Sequence, residues 1–211
     1  MEQSKVFDDE TGKAVLSSER TSSGAFLARG SDEIVTNIEK RIADFTFIPV
    51  EHGEDLQVLH YEVGQKYVPH HDFFTDKLNI NIAMGGQRIA TMLMYLSDVE
   101  EGGETVFPVS KENFSSVPWW NELSACGKQG LSIKPKMGDA LLFWSLNPDA
   151  TYDLSSLHGS CPVIKVVMET TLKDDVGEET VKTTSLGAAH QLLGQQGCSG
   201  DDENEAHSTQ G

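Results

Sequence analysis

Ile89-Ala90-Thr91-Met92-Leu93-Met94-Tyr95-Leu96 is a nearly continuous apolar run, closed by Arg88 on one side and Ser97-Asp98 on the other. Such a run reads as a central strand covered on both faces. Leu56-Gln57-Val58-Leu59-His60-Tyr61 is a second strand, ended by Gly64. Lys136-Met137-Gly138-Asp139 reads as a turn into the strand Ala140-Leu141-Leu142-Phe143-Trp144. Val163 to Thr171 is expected to be the last strand, with Ile164, Val166, Met168 and Thr170 on one face. One helix is expected from Ser31 to Asp44, with Ser31 as its N-cap and Ile34, Ile38 and Ile42 on its apolar face. One helix followed by many short strands with Gly/Pro turns predicts a mainly β protein with flanking helices (α+β), a β-sandwich or jelly roll.

The chain has 211 residues, 16 basic and 33 acidic, for a formal net charge of −17. That balance argues against nucleic-acid binding, which needs clustered Lys and Arg. No stretch approaches the roughly 18 apolar residues of a membrane span, and the N-terminus has no apolar signal segment. Residues 169–211 hold nine acids and two lysines. A globular unit over 1–172 and an acidic, disordered tail over 173–211 are therefore expected. The three cysteines, Cys126, Cys161 and Cys198, have no CxxC spacing, which excludes a zinc ribbon. They could be three free thiols, or Cys126 and Cys161 could pair and leave Cys198 over.

The chemistry concentrates in Tyr61-Glu62-Val63-Gly64-Gln65-Lys66-Tyr67-Val68-Pro69-His70-His71-Asp72. His70 and Asp72 are two apart, so in extended backbone they leave the same face and can grip one ion. Leu157-His158-Gly159-Ser160-Cys161-Pro162 offers a third ligand, His158, between a loop and a strand. Two histidines and one carboxylate leave three positions of an iron open, the facial triad of non-haem Fe(II) oxygenases. A HxD pair alone is weak, because a chain with seven histidines produces it by chance.

The surrounding words are far more specific. Arg20-Thr21-Ser22-Ser23-Gly24, the Tyr61–Asp72 segment, Gly86-Gln87-Arg88 through Val99, Gly102-Gly103-Glu104-Thr105-Val106-Phe107-Pro108, Lys134 through Ala140 and His158 through Val163 together resemble the plant and algal prolyl 4-hydroxylases. The resemblance runs from about Ser4 to Lys165. It implies a double-stranded β-helix (jelly-roll) core, Fe(II) with 2-oxoglutarate as co-substrate, ascorbate (vitamin C) to restore oxidised iron, and hydroxylation of peptidyl proline to 4-hydroxyproline. It implies that His70, Asp72 and His158 hold the metal, that Tyr61 and Thr105 contact 2-oxoglutarate, and that Tyr67 and Arg88 line the peptide groove. His71 is read as turned away from the metal, and His52 and His60 as structural. The resemblance further implies a proline-rich peptide or cell-wall glycoprotein as substrate and residence in the endoplasmic reticulum or Golgi. In that compartment a Cys126–Cys161 bridge and glycosylation at Asn113-Phe114-Ser115 are expected.

Two departures from the family accompany this. The family's lysine for the far carboxylate of 2-oxoglutarate lies ten residues after the distal histidine, where this chain has Met168. Lys165 is the nearest cation, but a regular strand turns it to the opposite face, so weakened co-substrate binding is expected. The family's N-terminal anchor and a strand–helix segment have no counterpart before Ser4, so a shortened product with uncovered apolar surface is expected. The alternative to an active hydroxylase is an impaired fragment that binds proline-rich chains or partner subunits without turnover.

Overall fold

Antiparallel pairing dominates the structure, because its strands are short, alternate in polarity and are joined by Gly- and Pro-containing turns. The computed structural model describes residues 1–7, 14–16, 18–76, 80, 86–110, 114–166, 168–170, 181–183 and 185–194, with backbone alone for 5–7, 14–16, 168–170 and 181–183. The strands, in chain order, are β1 (Glu2–Gln3), β2 (Lys5–Phe7), β3 (Ala14–Leu16), β4 (Ser23–Leu27), β5 (Leu56–Tyr61), β6 (Tyr67–His70), β7 (Arg88–Tyr95) and β8 (Val99–Gly102). They continue as β9 (Thr105–Phe107), β10 (Leu131–Ile133), β11 (Ala140–Trp144), β12 (His158–Ser160), β13 (Val163–Val166), β14 (Met168–Thr170), β15 (Val181–Thr183) and β16 (Leu186–Gly194). A six-stranded sheet runs β1-β4-β5-β16-β7-β11, and a four-stranded sheet runs β10-β9-β12-β6. This is the jelly-roll core, and residues alternating along each strand decide which side of the larger sheet they serve.

On the outer side, Ala90 and Met92 of β7 and Leu193 of β16 pack with Ile42 of the helix α1 (Glu33–Thr46) and with Ile48. Each such aliphatic side chain contributes roughly 2 kcal/mol by leaving water. On the inner side, Thr91, Leu93 and Tyr95 of β7 and Leu186, Ala188, His190 and Leu192 of β16 line a cavity of about 740 Å³. A second apolar cluster, Leu59, Tyr61, Val99, Val163, Val166 and Leu186, closes one end of the space between the sheets.

Several expectations need correction. The helix starts two residues later than Ser31, because the Asp32 carboxylate accepts from the Val35 N–H and is the N-cap. Its buried stripe is Val35, Glu39, Ile42 and Thr46, and Ile34 is 72% exposed. Seven residues make nearly two full turns, so Val35 rather than Ile34 shares the face of Ile42. The strand expected over 163–171 is broken: register shifts between Val163 and Val166 put both of them inside, so alternation fails there. Met168–Thr170 then pairs with Val181–Thr183 outside the main sheets. Leu186–Gly194, assigned by composition to the acidic tail, is a strand between β5 and β7 in the larger sheet. Residues 195–211, Asn113 and the Met168 side chain lie outside the described residues. Phe26, Ile34, Phe45 and Phe47 are exposed apolar residues.

Cys126 and Cys161 form a disulfide across 35 residues. Cys161 is buried, directly after β12. Closing a loop of that length in the unfolded chain stabilises the fold by about 4 kcal/mol in the chain-entropy model. Non-reducing peptide mapping should recover this pair linked, and Cys126→Ser with Cys161→Ser should lower the denaturant midpoint correspondingly. Equal midpoints would show that the bridge contributes nothing.

Candidate metal centre

β6 and β12 are hydrogen-bonded neighbours, and His158 lies directly opposite His70 in their register. The two imidazoles are 4.4 Å apart between ring centroids. Such close pairing depends on Gly159, where a Cβ would sit 2.9 Å from the Tyr67 carbonyl oxygen and 3.0 Å from the Pro69 nitrogen. Asp72 follows just beyond β6. Its Oδ1 lies 3.5 Å from His70 Nε2, and its Oδ2 lies 3.6 Å from His158 Nε2. One ligand atom from each of the three residues falls within 4.8 Å of the other two.

The other nitrogens are already committed. His70 Nδ1 faces the Val68 carbonyl at 2.9 Å, and His158 Nδ1 faces the Ser156 carbonyl at 2.9 Å. A carbonyl can only accept, so each Nδ1 carries the hydrogen and each Nε2 lone pair is directed to the cluster. Burial pulls the His158 pKa down to about 4, which keeps its imidazole neutral and able to coordinate at neutral pH. Burial pushes the Asp72 carboxyl up, but His158 and His70, when protonated, together with the Thr91 hydroxyl outweigh it and bring the group well below the usual carboxylate range. The Thr91 hydroxyl donates to Asp72 Oδ2 at 2.6 Å and fixes the carboxylate's rotation. Two imidazoles and one carboxylate converging on one side of a cavity are a donor set that would fit a divalent iron.

Around this cluster the remaining candidates fall into two groups. Tyr61, Tyr67, Arg88 and Thr105 line the same cavity as the three ligands. The Tyr67 ring stacks on His70 at 3.6 Å. The Arg88 guanidinium grips Glu54 through Nε at 2.6 Å and Nη2 at 2.9 Å and lies over the Phe74 ring. Thr105 Oγ1 and the Tyr95 hydroxyl are 2.7 Å apart, and burial pushes the Tyr95 pKa up to about 12. Lys165 is not brought to the site: it is exposed and pairs with Glu100. His71 turns away to the Leu154 carbonyl and stacks on Phe73. His60 contacts the Ser185 hydroxyl.

Reasoning from sequence missed Thr91, Arg20, Glu54 and His190, all of which line the cavity. Thr91 had a signal, since it is the lone threonine or serine inside an apolar strand. Arg20 had none beyond its motif, because its significance depends on contacts with Gln57 and Tyr67.

Residues 56–170 match the 2OG-Fe(II) oxygenase superfamily. The chain belongs to that superfamily. His70, Asp72 and His158 are the residues of this chain that would hold the Fe(II) for which the superfamily is named. The sequence is similar to plant prolyl 4-hydroxylases. It is 72% identical over 165 residues to probable prolyl 4-hydroxylase 10 of Arabidopsis thaliana, covering 78% of this chain and 56% of that protein. It is 66% identical over 165 residues to prolyl 4-hydroxylase 5 of the same plant, again covering 78% and 56%. The chain thus spans little more than half the length of these relatives. In fold it is similar to the viral collagen prolyl hydroxylase of Paramecium Bursaria Chlorella virus-1 solved with 2OG. That similarity has a TM-score of 0.55 at 24% identity and covers 83% of this chain and 79% of that one.

Thr91 is an outer partner of the metal ligand set, so Thr91→Val should weaken binding of Mn(II) by about 10- to 100-fold, and Thr91→Ser should largely preserve it. Titration followed by the electron-spin signal of free Mn(II) checks this. Unchanged affinity in the valine variant would show that the hydrogen bond does not orient Asp72.

Proposed function

We propose that this chain is a prolyl 4-hydroxylase that converts peptidyl proline to 4-hydroxyproline. The observation that carries the reading is the convergence of His70, Asp72 and His158 on one side of a cavity that Tyr67 and Arg88 also border. The close sequence similarity to plant prolyl 4-hydroxylases supports the choice of substrate. Bound Fe(II) and 2-oxoglutarate supply the oxidising chemistry: decarboxylation of 2-oxoglutarate to succinate is coupled to insertion of one oxygen atom of dioxygen into the proline C4–H bond.

The chain's own residues do the positioning. His70, Asp72 and His158 hold the metal from one side, and the Val68 and Ser156 carbonyls and Thr91 lock their orientation. Phe107 and Phe143 pack near the His158 ring, so that side of the site is apolar and shielded from water. Tyr67 and Arg88 border the cavity in which a proline-rich segment would lie. Such a segment is already extended in polyproline II form and loses little conformational freedom on docking.

A proline-rich peptide or cell-wall glycoprotein is the proposed substrate, and ascorbate the proposed reductant that restores iron after uncoupled cycles. The endoplasmic reticulum or Golgi is the proposed compartment, and the Cys126–Cys161 disulfide fits the oxidising lumen.

Incubation of the Fe(II)-loaded chain with a poly-proline peptide, 2-oxoglutarate and ascorbate should release one succinate per hydroxyl group formed. Peptide mass spectrometry should place each added oxygen on proline, and His158→Ala should abolish both products. Peptide binding without succinate release or added oxygen would overturn the reading in favour of a non-catalytic binding fragment.

A further inference from the structure

We propose that Arg20 is the anion subsite of the cavity and pairs with the far carboxylate of 2-oxoglutarate. The inference rests on the proposed function and concerns how this chain holds its co-substrate. Arg20 is 8% exposed and lines the same cavity as His70, Asp72 and His158. Its Nη2 donates to Gln57 Oε1 at 2.9 Å, and its guanidinium lies over the Tyr67 ring at 4.8 Å. Both partners are neutral. Its Nε is buried without a hydrogen-bond partner, and among the described residues it forms no ion pair.

A buried cation without a counter-charge is costly, and the cost falls when a ligand brings the missing anion. The planar guanidinium is also the side chain best shaped to take a carboxylate through two parallel hydrogen bonds.

Among the other charged groups that line the cavity, Glu2 is exposed on the short strand β1 and the buried ones are occupied. Arg88 is neutralised by its two-point grip on Glu54. Asp72 belongs to the metal cluster, and Asp55 accepts from the Arg29 N–H. The β16 wall presents Leu186, Ala188, His190 and Leu192. Burial lowers the His190 pKa to about 3, so that wall carries no charge at neutral pH. Lys165, the cation nearest in sequence, is held at the surface by Glu100.

Position agrees with charge. Tyr67 stacks on His70 at 3.6 Å and also carries the Arg20 guanidinium at 4.8 Å, so the cation lies within about 8.4 Å of the ring of a metal ligand. A short diacid with its keto-acid end at the metal spans such a gap. The Tyr61 hydroxyl faces Arg20, Ser22 and Ser160, and adds donors around the same carboxylate.

Calorimetry on the full chain loaded with Co(II), without turnover, separates the possibilities. Pyruvate carries the same keto-acid head as 2-oxoglutarate and lacks the far carboxylate. The wild type should prefer 2-oxoglutarate, and Arg20→Gln should lose about 30-fold or more of that affinity while binding pyruvate as before. Arg20→Lys should recover part of the preference. Thermal melts should show Arg20→Gln folded, since it removes no ion pair. Wild-type affinity for 2-oxoglutarate in Arg20→Gln would overturn the assignment alone, as would an equal loss for both acids. Failure of the metal-loaded wild type to bind either acid would overturn the proposed function together with it.

Discussion

Everything at the centre of this molecule depends on one strand register, the one that sets His158 opposite His70. Shifting β12 by one residue would send the imidazole to the other face of the four-stranded sheet. The register is pinned from three directions. Gly159 leaves room for the Tyr67 and Pro69 backbone to approach. Cys161 ties the end of β12 to Cys126. The Cys161 N–H also donates to the Glu104 carbonyl at 2.8 Å, and the buried Glu104 carboxylate accepts from the Ser124 N–H and hydroxyl. A loop far from the metal therefore helps fix a metal ligand.

The larger sheet supplies the other half of the site. Its strands serve two environments at once, because alternate residues of β7 meet helix α1 or the cavity. Ala90 and Met92 are core, and Thr91 between them faces inward and holds Asp72. The apolar packing on the outer side therefore sets the position of a polar contact on the inner side. Asp72 illustrates the energetics: removed from water, its charge is held by the Thr91 hydroxyl, and the two imidazoles help only when they are protonated. A divalent ion would complete that compensation.

Much of this was legible in the sequence, and the rest was not for identifiable reasons. The strands Leu56–Tyr61 and Ala140–Trp144 match their apolar runs, because both lie between clear turn signals. The three candidate ligands were singled out by the distinctive residues around them, and the structure brings their ligand atoms together. The last sheet strand could not. Counting onward from His158 assumes an unbroken strand, whereas the chain shifts register between Val163 and Val166 and pairs Met168–Thr170 with Val181–Thr183 first. Leu186–Gly194 then enters the sheet from a segment whose acidic neighbours mask its own apolar character. Arg20 escaped for a different reason. Nothing in Arg20-Thr21-Ser22 tells that the side chain is buried without a counter-charge; that is a property of tertiary structure alone.

The central claim is that three side chains of this chain form one iron site. X-ray absorption of the chain loaded anaerobically with Fe(II) addresses it most directly. The account predicts one iron per chain with two imidazoles and a carboxylate in its first shell, and the imidazole signal should fall to one in His158→Ala. Iron bound with fewer than two imidazoles in the wild type, or a coordination shell unchanged in that variant, would contradict it.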